Sequence, residues 1–151
     1  MHKKSLAKAK DRLREMTKRN RGRNVRQVME EVKRYMLGWL NYYAIASMKK
    51  TMDEWNGWLR RRFRMYIWKQ WKKPRTKYRN LLKLGIPDYY AWMTAMSRRG
   101  YWFVAGTTSV GRAISNERLA SAGYLDLSQA YESIQSDCIG RAVYRTVCTV
   151  R

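Results

Sequence analysis

The chain has 151 residues, 45% of them apolar, and carries 33 Lys and Arg against 11 Asp and Glu, a formal charge of +22. This suits one domain with a real core, and it excludes a membrane span, for which no run of about 18 apolar residues exists. The charge is uneven, with 26 cations and 6 acids in residues 1–86 but only 7 and 5 in residues 87–151, so the first part is expected to meet an anionic partner.

From the N-terminus, Leu6, Ala9, Leu13 and Met16 recur at steps of three and four and predict a helix from Lys3 to about Lys18. A very polar run to Arg23 follows, in which Gly22 suits a positive φ. Asn24 with Gln27 forms a capping-box pattern for a second helix from about Val25 to Ala46, with Val28, Met29, Val32, Met36, Trp39, Leu40 and Tyr43 on its apolar stripe. Gly38 inside it costs about 1 kcal/mol relative to Ala, which a close helix crossing or a ligand's approach would explain. Thr51 with Glu54 reads as the cap of a third helix. Trp55, Leu59, Phe63, Tyr66, Ile67 and Gln70 share one side of it, and Arg60, Arg61, Arg64 and Lys72 lie mostly away from that side.

Pro74 ends the third helix and suits the first position of a fourth, through Leu84, with Gly85 as its C-cap. Pro87 opens a short helix over 87–98. Residues 105–111, rich in Gly, Thr and Ser, read as a loop. Ser115 or Asn116 caps a helix over 116–122, and Asp126 or Ser128 caps one to about Ile134. The last dozen residues alternate like a strand without a sheet to join. The expected organisation is an all-α domain over 1–134, with three long helices and several short C-terminal ones, and a poorly ordered tail over 135–151.

The stretch Trp55–Lys83 interleaves aromatics with cations, a pattern that suits a polyanion, since Arg forks onto phosphates and stacks on bases. Trp39, Trp55, Phe63 and Tyr66 lie at core spacing. Trp68, Trp71 and Tyr78, set among cations, are candidates for base stacking. The acids are scattered. Glu30 and Glu31 pair along a helix surface, and Asp53 with Glu54 suits a helix N-terminus. With one histidine, His2, and two cysteines, Cys138 and Cys148, no metal site is expected. No phosphate-binding loop and no nucleophile–base set occurs, so the chain is expected to bind rather than catalyse, without a cofactor.

The run Arg14-Glu15-Met16-Thr17-Lys18-Arg19-Asn20-Arg21-Gly22-Arg23, then Val25 to Val32, then Gly38-Trp39-Leu40-Asn41-Tyr42-Tyr43, resembles the maturase-specific region of group II intron-encoded reverse transcriptases. The segments Arg60–Pro87, Ser97–Trp102, Arg112–Glu117 and Gly123-Tyr124-Leu125 are similar to that family's continuation, so the resemblance spans roughly residues 8 to 131. It implies a thumb-like helical bundle, domain X, that binds structured intron RNA and stabilises its splicing-competent fold, while the RNA performs the chemistry. Full-length relatives are RNA-directed DNA polymerases. The alternative reading is therefore the thumb of a split or truncated reverse transcriptase, contacting a template–primer duplex and a separate fingers–palm portion. The polymerase motif Tyr-x-Asp-Asp does not occur in this chain. Leu37 and Phe103 stand where the family commonly has basic residues.

The expected RNA contacts are Lys18, Arg19, Arg21 and Arg23 in the first loop. Along the basic stretch they are Arg60, Arg61, Arg62, Arg64, Lys69, Trp71, Lys72, Lys73, Arg75, Lys77, Tyr78 and Arg79. Changing Arg61, Arg62, Lys72 and Arg75 together to Gln is expected to leave melting nearly unchanged. The expected location is a bacterial cytoplasm, with an organelle left open by the basic, amphipathic start; no membrane partner is expected.

Overall fold

The structure, a computed structural model, describes residues 3–148, with side chains as far as Cys138. Nine helices follow one another among these residues: α1 Lys3–Met16, α2 Val25–Tyr42, α3 Lys49–Gln70, α4 Pro74–Lys83, α5 Asp88–Ala95, α6 Tyr101–Val104, α7 Thr108–Ala113, α8 Asn116–Ser121 and α9 Leu127–Cys148. The protein is all-α as expected, with no strand among the described residues.

The departure from three long helices is α9, a fourth, as long as α3 at 22 residues. It passes the expected stop at Ile134 and takes in residues whose alternation had suggested a strand. Alternation alone does not make a strand. Without a partner ladder, backbone N–H and C=O groups are best satisfied within a helix. The remaining tail residues, 149–151, lie outside the described residues. α9 docks against α2 and α3, burying Leu127 and Tyr131.

α3 is the central helix, packed against α2, α6 and α9. Leu59 and Phe63 are fully buried, and the Phe63 ring meets Tyr124 edge-on at 5.6 Å between centroids. Its start differs from expectation. The helix begins at Lys49 after Met48, which has no side-chain cap, and Thr51 falls inside the first turn. A tyrosine from α9 does the work of the cap. The Tyr131 hydroxyl accepts the Met48 N–H at 3.1 Å and donates to the Ala46 carbonyl at 2.7 Å. It thereby fixes the turn that ends α2 at Tyr42 rather than Ala46.

Several local signals act as read. Asn24 caps α2 by accepting the Arg26 N–H at 3.1 Å. Pro74 opens α4, and Ser115 caps α8. Gly85, at φ +87°, closes α4 with two paired bonds, Ile86 N–H to Leu81 O and Gly85 N–H to Leu82 O, both near the helix end. This is the Schellman arrangement, which needs a left-handed residue.

Other signals mislead. Gly38 is exposed, and a Cβ there would meet nothing within 4 Å, so no helix crosses it. The supposed loop over 105–111 contains the start of α7, because Val110 and Ala113 are both fully buried and hold that turn to the core. Trp39 is only partly buried, its ring tilted against Tyr43 at 4.9 Å and Trp55 at 5.6 Å between centroids.

Candidate nucleic-acid interface

The four arginines of the Arg60–Arg64 run leave α3 in different directions, and each meets a different element. Arg60 forms an ion pair with Asp126 at the start of α9, with its Nε buried and unbonded. Arg61 donates from Nε and Nη2 to the Trp102 carbonyl of α6 at 3.1 and 2.9 Å. Arg62 reaches the end of α1, donating to Thr17 Oγ1 at 2.6 Å and to the carbonyls of Arg14 at 3.1 Å and Thr17 at 3.3 Å. Arg64 donates to the Ile114 carbonyl after α7 and to Asn116 Oδ1, both at 2.9 Å.

Helix C-termini expose unpaired carbonyls and carry partial negative charge. A planar fork with several N–H donors suits them better than an ammonium. Burial lowers the pKa of both the Arg62 and the Arg64 guanidinium below the ordinary arginine range, the expected cost of seating a cation away from water. Arg118, which sequence reasoning passed over, does the same from α8, donating to Ala113 O at 2.6 Å and Leu84 O at 3.2 Å.

Asp126 anchors a second network. Its carboxylate accepts the Ser128 N–H at 3.1 Å, the Gln129 N–H at 3.2 Å and the Asn56 amide at 2.8 Å. Asn56 in turn accepts the hydroxyl of Tyr124. The buried amide of α3 is thus satisfied, and α9 is registered on it.

The two expected contact segments lie side by side. Lys69 of α3 donates to Asn20 Oδ1 at 2.7 Å, and Tyr66 and Gln70 donate to the Arg23 carbonyl at 2.7 and 3.0 Å. The loop between α1 and α2 is therefore tied along the C-terminal half of α3, next to the α3–α4 turn. On this surface Lys18, Arg19, Lys72, Lys73, Arg75 and Arg79 are exposed. Arg21 and Arg23 both pair with Glu31. Lys72 holds φ at +42°, the one non-glycine with positive φ among the described residues.

Within the expected contact set the structure sorts residues by what they touch. Arg60, Arg61, Arg62 and Arg64 are half-buried and bonded inside the protein, against the expectation that they lie on a free face. α3 has neighbours on most sides, so no such face exists along its middle. Lys77 is buried, its ammonium 4.9 Å from the Trp68 ring centre and 5.1 Å from that of Tyr101, and burial lowers its pKa. Trp68 is 3% exposed and closed to stacking. Trp71 is partly buried against it at 5.6 Å, and the Tyr78 hydroxyl is bonded to Asp88. The bonds of Arg61 and Arg62 to helix ends argue against the expectation that the fourfold Gln variant melts unchanged.

Asp88 is the single carboxylate between residues 55 and 116, which hold fourteen Lys and Arg. Of these fourteen, Arg60 alone forms an ion pair among the described residues. Also missed in the sequence were the exposed rings of Tyr89, Tyr90, Trp92, Trp102 and Phe103. For Tyr89, Tyr90 and Trp92 the signal that could have found them was the absence of helical periodicity in α5, whose apolar residues cannot all face inward. Among the described residues no group of three or more His, Cys, Asp or Glu gathers as metal ligands do, and no helix is long and apolar enough to cross a membrane.

No curated protein matches the chain. The family model for the group II intron maturase-specific domain matches residues 6–85, which takes in most of α1, all of α2 to α4, the α1–α2 loop, the arginine run and the exposed cations of the α3–α4 turn. That match covers more than half of the sequence, and the chain belongs to the group II intron maturase-specific domain family.

Proposed function

We propose that this domain binds structured group II intron RNA and stabilises its splicing-competent fold, without chemistry of its own. The observation that carries the reading is the juxtaposition of the α1–α2 loop with the α3–α4 turn. Lys18, Arg19, Lys72, Lys73, Arg75 and Arg79 are exposed there, and between residues 55 and 116 the sequence holds a single carboxylate, Asp88. Folding a large RNA brings phosphate backbones together, so cations fixed on a rigid scaffold favour the compact state over the open one. Family membership supports group II intron RNA as the partner. The intron would be met where it is transcribed, in a bacterial cytoplasm.

The test is binding of the chain to a folded group II intron RNA and to an unrelated RNA of equal length, across a salt series. Preference for the intron at physiological salt is expected. Replacing Lys72, Lys73, Arg75 and Arg79 by Gln should make the slope of log affinity against log salt shallower, by roughly 0.7–0.9 for each phosphate no longer neutralised. Equal affinity for both RNAs would leave only a polycation.

A second reading is supported by the exposed rings of α5, Tyr89 at 67%, Tyr90 at 51% and Trp92 at 55%. An apolar face of this kind suits another protein surface, and a polymerase fingers–palm portion would use the same cations on a template–primer duplex. Primer extension that appears only on mixing this chain with such a portion would favour it.

A further inference from the structure

Helix α6, outside the segment matched by the family model, places three aromatic residues in a row, and each ring has a cation over it. The Arg19 guanidinium lies 4.6 Å from the centre of Tyr101, that of Arg61 4.3 Å from Trp102, and that of Arg99 4.5 Å from Phe103. Val104 is buried and anchors the helix, while Trp102 and Phe103 remain 38% and 48% exposed.

The geometry is held from below. Arg61 is fixed by its two bonds to the Trp102 carbonyl. A Cβ at Gly106 would sit 2.6 Å from its Nη2, so this position needs glycine for the guanidinium to lie where it does.

Large rings left at a surface forgo the gain of burial, and an exposed cation–π pair returns only part of it. What the arrangement offers outward is ring surface beside guanidinium N–H groups. Bases stack on such rings and phosphates accept from such donors. A duplex hides its base faces, whereas loops, bulges and ends present them. Between residues 55 and 116 the single carboxylate, Asp88, is engaged by the Tyr78 hydroxyl, so charge complementarity favours a polyanion.

We propose that α6 is a stacking platform for unpaired nucleotides of the bound RNA, with Trp102 and Phe103 taking bases, exposed Arg99 taking an adjoining phosphate, and Arg61 holding Trp102 in place. This rests on the reading that the chain binds RNA, and it extends the cationic surface of the α1–α2 loop, whose Arg19 lies over Tyr101, onto α6.

The experiment measures binding of the full chain to a single-stranded oligoribonucleotide, to the same oligonucleotide made abasic, and to a blunt RNA duplex, at one salt concentration. Phe103→Ala and Trp102→Ala should each weaken the single-stranded oligonucleotide about tenfold. Neither should alter the abasic strand or the duplex. Phe103→Trp should preserve binding, which a requirement for the exact Phe packing would not predict. Because Trp102 supports Arg61, the Phe103 pair keeps the test valid if Trp102→Ala unfolds. Equal losses on the abasic strand would mean displaced charge and overturn stacking. Unchanged affinity for every RNA overturns the proposal and leaves the face to an acidic protein partner. Failure of the wild-type chain to prefer intron RNA would instead sink the proposed function itself, a result read in a separate arm.

Discussion

Arg62 separates a scaffold arginine from an RNA-binding one. Its guanidinium donates to three oxygens at the end of α1 and lies 5.0 Å from the centre of the Trp58 ring. Thr17, one of the acceptors, is fully buried, and its own hydroxyl donates to the Leu13 carbonyl at 2.6 Å. Arg62→Gln removes the fork and leaves the Arg14 and Thr17 carbonyls without that donor. A hydrogen bond from a charged group contributes about 1.5–3 kcal/mol, and a partly exposed cation–π contact about 0.5–1 kcal/mol. The desolvation that lowers the Arg62 pKa offsets some of this, so the net loss is set at roughly 2–3 kcal/mol. For a chain of this size that is a fall in melting temperature of about 5–10 °C. Arg62→Lys keeps the charge and loses the fork, and should lose most of the same stability. Thermal melts followed by far-UV circular dichroism give the stability, and binding to folded intron RNA well below the melt gives the affinity. If Arg62→Gln melts with the wild type while its RNA affinity drops, the arginine serves the RNA and the account of α3 as a pinned central helix is wrong.

Lys72→Gly should raise stability by about 1 kcal/mol, since glycine accepts the left-handed backbone that a lysine resists. It should also weaken RNA binding, and chemical denaturation with a parallel binding titration checks both. Gly38→Ala should stabilise α2 by about 0.5–1 kcal/mol, because a methyl there meets no neighbour; a concurrent loss of intron affinity would place the RNA backbone against this turn. Burial holds the Tyr124 phenol well above its ordinary value of 10.0. The folded state therefore keeps this proton after the unfolded state has lost it, so the contribution is whole below about pH 10 and declines as pH rises further. Melting temperature should fall through that alkaline range, and Tyr124→Phe should flatten the fall; an unchanged slope would assign the titration to other groups, and buried Lys77, with its lowered pKa, contributes with the opposite sign.

How much of this was legible follows from what each signal encodes. The apolar stripes of α1, α2 and α3 were readable because periodicity reports directly on burial: Leu13, Met36, Leu40 and Phe63 are fully buried where the spacing places them. Gly85 was readable because the left-handed closing turn depends on one residue type. The length of α9 was not, since whether a weakly patterned segment continues as helix depends on distant partners, here α2 and α3. The arginines were hardest. A guanidinium at helical spacing has the same sequence signature whether it meets a phosphate or the carbonyls at the end of another helix. Both are oxygen acceptors carrying negative charge, and only the tertiary course of α1, α6 and α7 distinguishes them.

The outcome still has a chemical order. The cations that hold the helix ends are arginines, where the fork matters, and lysines account for much of the exposed α3–α4 turn, where a mobile point charge suffices. The basic stretch thus specifies the scaffold in its first half and, apart from buried Lys77, the exposed charge in its second. A substitution of Arg by Lys should be costly between Arg60 and Arg64 and nearly silent at Arg75 or Arg79, although all of these belong to one sequence motif.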